Sequence, residues 1–170
     1  MDSKSMRGAA LDYAAHGWPV VPGRLNKDSR LEPIGRARPT TKVSTINRWW
    51  QSSNYPILLK VGIFFEAIEV QSAWITKIST LLTRAHESTP ILTIEENRSL
   101  VFCKSPIEVR SDIQNHSEVV VQPKDSYIMA PPSVVRGIYW AIGPSECDWH
   151  LADSYITQLA ILSSRPFSHD

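Results

Sequence analysis

The stretch FFEAIEVQ, residues 64–71, decides how this chain is read. Its aromatic and β-branched residues mark a buried strand, and its last residues turn polar. Side chains two apart leave the same face of a strand, so Glu69 and Gln71 point the same way. A strand that ends like this delivers side chains to a site. Two carboxylates at that spacing can hold a metal ion, whereas one carboxylate and one amide hold it far less well. The stretch is therefore either an altered active site or an ordinary strand end, with Glu69 in water or paired to an arginine.

Working outward, residues 57–70 are strand-forming throughout, with Gly62 as a bulge or a point of close approach. After them, Trp74, Ile75, Ile78, Leu81 and Leu82 make a helical face across residues 72–86. PILTIEENRSLVFCK then places two apolar runs around Glu95, Glu96, Asn97 and Arg98, which predicts a β-hairpin. EVVVQ (118–122) and YIMA (127–130) read as another strand pair, stopped by Pro131 and Pro132. GIYWAI (137–142) is one more strand. DSYITQLAILSS is a helix capped by Asp153.

Toward the N-terminus, residues 4–16 are helical. Ala9, Ala10, Tyr13 and Ala14 form the apolar stripe, and Gly17 supplies the stop. WPVVPG is a short strand closed by Pro22 and Gly23. Residues 24–42 show no period and predict a long loop, a type of segment that often carries function. Ser44 caps a helix over STINRWWQSS, ended by Asn54, Tyr55 and Pro56. Of the adjacent Trp49 and Trp50, one is buried and the other turned outward. Trp18 and Trp140 belong to the core. The order predicts an α+β fold with a mostly antiparallel or mixed sheet.

Composition fits that picture. The 170 residues suit one domain, residues 1–170, with 42% hydrophobic and 21% charged residues. The two cysteines, Cys103 and Cys147, make no zinc spacing and fit a reducing cytoplasm. No apolar run is long enough to span a membrane, and no signal-peptide core is present, so no membrane partner is expected. His16, His86, His116, His150 and His169 are dispersed, no Gly-rich phosphate loop occurs and no nucleophile elbow is visible; neither metal nor cofactor is expected. Charge is uneven: residues 1–60 carry ten Lys/Arg against four Asp/Glu, and residues 61–170 carry eight against thirteen. The basic part includes Arg24, Lys27, Arg30, Arg36, Arg38, Lys42 and Arg48. Such a cluster either faces phosphates or is a solvated loop.

Three segments together resemble one family. ALDYAAHGWPVVPG (10–23), the Thr40–Thr41 pair with INRWWQSSNYPILLKVGI (46–63), and YIMAPPSV with GIYW (127–140) stand in the order and spacing of the bifunctional primase-polymerase domain, a branch of the archaeo-eukaryotic primase superfamily. The resemblance covers nearly the whole chain. It implies a primase-polymerase-like fold on an RRM-like sheet with flanking helices, the active site lying on one sheet face. It also implies an aspartate pair, a histidine on a later strand, and a third acid followed by an arginine. The carboxylates of active members clamp two divalent ions for nucleotidyl transfer, and the histidine and arginine hold the triphosphate.

Here the matched positions are degenerate. Glu69 and Gln71 stand for the aspartate pair, Ser99 for the histidine, Val120 for the third acid and Gln122 for the arginine; a slip of two residues recruits Glu118 at best. An amide binds hard cations poorly and valine not at all. The resemblance therefore implies a primase-polymerase-like domain without catalysis, acting as a nucleic-acid-binding accessory or regulatory protein on DNA or RNA. The expected surface is Arg30, Arg36, Arg38, Lys42 and Arg48, because the loop after WPVVPG borders the family's template cleft. Two alternatives stand beside this: a protein-interaction or self-associating module, and residual primase or polymerase activity through Glu69.

Overall fold

The computed structural model describes residues 5–71, 75, 91–95, 97–104, 119–135 and 138–139. Along them run α1 (Met6–Ala15), β1 (Val20–Leu25), β2 (Leu31–Pro33), α2 (Val43–Trp49), β3 (Ile57–Lys60), β4 (Phe65–Gln71), β5 (Ile91–Glu95), β6 (Arg98–Lys104), β7 (Val119–Val121), β8 (Tyr127–Ala130), β9 (Val134–Val135) and β10 (Ile138–Tyr139). The fold is α+β, and every strand pairing among the described residues is antiparallel. The helices read at 72–86 and from Asp153 lie outside the described residues, Ile75 excepted, as do Trp140 and Glu118. No helix among the described residues is long and apolar enough to cross a membrane.

α1 follows from its sequence. The Ser5 hydroxyl accepts the Gly8 N–H at 3.1 Å and closes the first turn. Ala9, Ala10, Tyr13 and Ala14 are its buried stripe. Gly17 ends it at φ +81°, a conformation glycine adopts without a Cβ penalty.

Of the loop read at 24–42, the part up to Pro33 is instead a hairpin, and residues 34–42 carry no strand or helix. β1 does not close at Pro22 and Gly23 but continues to Leu25, and β2 folds back on it with Arg24 opposite Glu32. Asn26 makes the turn: its Oδ1 accepts the N–H groups of Asp28 and Arg30, both at 2.9 Å. Such side-chain turns leave no hydrophobic period to read. Pro22 fits a central strand because its missing N–H would face the β2 side, where only its carbonyl is used, accepting from Ile34. α2 starts at Val43, not after Ser44: Lys42 is the cap residue, and the Thr40 hydroxyl holds its N–H at 3.1 Å.

Among the described residues two four-stranded sheets form, ordered β2-β1-β3-β8 and β5-β6-β4-β7, and β9 and β10 make a two-stranded one. β7 and β8 are therefore not a pair, as their adjacency in sequence suggested. β8 joins β3, with Ile57 opposite Ala130, and β7 joins β4, with Ile68 opposite Val121. Residues 57–71 and 119–130 thus make one long antiparallel ribbon that bends at a corner and passes from one sheet into the other. At the bend Gly62 has φ +85°, and a Cβ there would stand 2.5 Å from Lys124 Cγ. The far end is tied as well: the Ser133 hydroxyl, buried after the cis Pro131–Pro132 bond, accepts the Ile57 N–H at 2.8 Å.

The corner carries an ion pair, Lys60 Nζ to Asp125 Oδ1 at 2.6 Å. The shared hydrogen bond is the main cause that lowers the Asp125 pKa below the ordinary 3.8 and raises that of Lys60 above 10.5. The Asp125 contribution is present above pH 3.8 and is lost as pH falls through its depressed folded value; the Lys60 contribution is present below pH 10.5 and is lost as pH rises through its raised folded value. Asn tolerates the Asp125 backbone at φ +68°. Wild type is therefore expected to melt slightly above Asp125→Asn between those limits, with the gap closing in acid and in strong base. A gap unchanged down to about pH 2 would show that the charge pair is not its source.

The core sits where α1 and α2 cover one face of both sheets. Trp18 is at its centre, with Ile57, Leu59, Ile128 and Ala130 from one sheet and Phe65, Ala67, Leu100 and Phe102 from the other. Ile57, Leu59, Val61, Phe65 and Ala67 face this core, the alternation being broken only by the exposed Ile63 at the corner. The same face runs on to Glu69 and Gln71, where it becomes polar.

Candidate functional site

Directly paired residues in an antiparallel ladder share a face. Opposite Glu69 stand Leu100 on β6 and Val120 on β7, and opposite Gln71 stands Arg98. Gln122 follows on the same side. One face therefore gathers Glu69, Gln71, Arg98, Val120 and Gln122. Ser99 is not among them: it pairs with Val70 on the opposite face and is buried.

Glu69 has its carboxylate engaged on both oxygens. Arg98 forms an ion pair with Oε1, and the Gln122 amide donates to Oε2 at 2.9 Å. The Glu69 side chain is only 14% exposed, against 48% for Arg98. Of the two readings of a strand-end glutamate, pairing with arginine is the one observed. Arg98 was read only as part of a hairpin turn. The register that brings it beside Gln71 depends on where the turn falls, which residue types alone do not set.

The resemblance implies two divalent ions at this face, so the donors can be tested for fit. They are one carboxylate already neutralised by a guanidinium, one amide at Gln71 and one hydrocarbon at Val120. Hard divalent ions need several anionic or carbonyl oxygens, and this set does not fit them. Among the described residues no three His, Cys, Asp or Glu side chains converge elsewhere.

A second feature lies between β1, α2 and the segment after β2. An open groove of about 660 Å³ is lined by Arg36, Arg38, Arg48, Trp49 and Tyr55, with Pro22, Ile34 and Thr45 in its wall. The three arginines are exposed, and none makes an ion pair or a side-chain hydrogen bond among the described residues. α2 brings Arg48 and Trp49 to the groove; Ile46 and Trp50 are buried in the core, and Trp49 packs against that core from the groove side. Trp50 is 4% exposed and donates its Nε1–H to the Tyr55 carbonyl at 2.8 Å. That bond fixes the chain after the helix and brings Tyr55 to the rim.

The basic candidates thus divide. Arg36, Arg38 and Arg48 converge on the groove, whereas Arg30 and Lys42 do not line it. Arg24 is paired with Glu32 at 2.8 Å. Trp49 and Tyr55 were not read as site residues. The adjacent tryptophans were a signal, since a helix turns neighbouring side chains about 100° apart.

A family model described as bifunctional DNA primase/polymerase, N-terminal, matches residues 10–152. Comparison with curated proteins and with solved structures finds no match.

Proposed function

The chain belongs to the bifunctional DNA primase/polymerase N-terminal family, and on that premise we propose that it binds single-stranded nucleic acid, as an accessory or regulatory domain, without extending it. The observation that carries this reading is the groove: three arginines that make no ion pair among the described residues, beside two half-buried aromatic rings. Guanidinium groups take phosphate oxygens in paired hydrogen bonds, which lysine cannot do as well. Rings of Trp49 and Tyr55 can stack only on bases that are not already stacked in a duplex. Such stacking contributes about 1–3 kcal/mol per base and tolerates any sequence.

At the family's catalytic face the chemistry points the other way. Glu69 is held by Arg98 and Gln122. The matched positions beside it carry an amide and a hydrocarbon. A face of this kind supports packing and hydrogen bonding, not a metal clamp.

Binding is tested by anisotropy of a labelled single strand across a salt series. Each phosphate contact steepens the dependence of log K on log salt by about 0.7. Three contacts predict a slope of about −2, and Arg36→Ala with Arg38→Ala should flatten it by about 1.4 while weakening all sequences alike. A wild-type protein that binds neither DNA nor RNA at low salt would sink this reading and leave an acidic protein partner as the better one.

A further inference from the structure

Among the described residues the lining of the groove holds no acidic side chain. No acidic residue occurs between Glu32 and Glu66 in the sequence, and Glu32 is already paired with Arg24. Arg36, Arg38 and Arg48 therefore set three permanent positive charges around one small space. Like charges so placed repel one another unless an anion sits among them.

Size and charge narrow that anion. About 660 Å³ is room for one nucleotide, free or at the end of a bound strand. An internal phosphodiester brings one negative charge. A terminal phosphate monoester brings about −1.5 to −2 and three strong acceptor oxygens. Three guanidinium forks match that terminal group better than a single diester. Trp49 and Tyr55, which also line the groove, supply aromatic surface for the attached base.

We infer that this groove recognises a nucleotide bearing a terminal phosphate monoester, carried either by the end of a strand or by a free nucleotide. The inference rests on reading the groove as a nucleic-acid surface, and it narrows the ligand from any phosphate to a terminal one.

The test compares equal-length strands with a 5′-phosphate, a 3′-phosphate or hydroxyls at both ends, labelled internally and read by anisotropy, with AMP and adenosine as competitors. One phosphorylated end should bind about tenfold tighter than the hydroxyl strand, the scale of one added charge-assisted contact. AMP should compete and adenosine should not. Arg36→Lys with Arg38→Lys keeps the charge but removes the fork, and should erase most of the tenfold preference; the Ala pair should bring the ratio to about one. A phosphorylated strand that competes no better than AMP identifies the free nucleotide as the ligand; one at least about tenfold better identifies the strand end. Strands that bind equally whatever their ends overturn the terminal-phosphate inference but leave the binding reading intact. Binding of AMP with no strand binding does the reverse, and no binding by any ligand removes both.

Discussion

Replacing Trp18 by alanine is expected to cost about 3–5 kcal/mol of folding stability, the range for a large aromatic removed from a closed core. Trp18 is 2% exposed. Its ring stacks on Phe65 at 5.2 Å between centroids and meets the edge of Phe102 at 5.4 Å, with Tyr13 at 6.3 Å. Those partners come from β4, β6 and α1, so one side chain joins the helix layer to the sheet that carries Glu69. The cavity left by alanine cannot collapse easily, because Phe65 and Phe102 also pack on each other at 5.0 Å. Chemical denaturation should show a lower midpoint with little change in slope. The melting temperature should fall on the order of 10 °C. A loss below about 1 kcal/mol would mean that the aromatic cluster does not organise the core.

Much of this arrangement was legible in the residues. The Ala9, Ala10, Tyr13 and Ala14 stripe, with Gly17 after it, gave α1 to within two residues at its start, because capping and helical period are local. The hairpin over residues 91–104 was equally local. The strands β4, β6 and β7 do share one sheet, as the resemblance implied.

What failed was non-local or hidden in side-chain turns. β7 and β8 are close in sequence, which favours a hairpin. Yet each finds its partner across the bent ribbon, since Gly62 and Asp125 at positive φ turn the chain away. The β1–β2 hairpin was missed because Asn26, not a hydrophobic pattern, directs it. For the site, the residue types at Glu69, Gln71 and Val120 were readable, whereas the burial of Ser99 on the far face was not. It depends on a strand register that one residue of slip would invert. Likewise, charge counting found the basic segment but not its division. Only the fold separates Arg36, Arg38 and Arg48 from Arg24, which Glu32 neutralises.

The second large effect concerns chemistry. Two-metal nucleotidyl transfer depends on carboxylates that hold both ions and so stabilise the attacking and leaving oxygens. Glu69 alone, tied to Arg98 and Gln122, is a poor substitute for that set. An amide at Gln71 adds no charge, and Val120 adds no donor. Purified protein, at a concentration where anisotropy shows the primed template bound, is therefore the direct test, incubated with nucleoside triphosphates and either magnesium or manganese. The expected result is no extension of the primer with either ion and no difference between wild type and Glu69→Ala. Metal-dependent extension by wild type, lost in Glu69→Ala, would contradict this and identify the chain as a working polymerase.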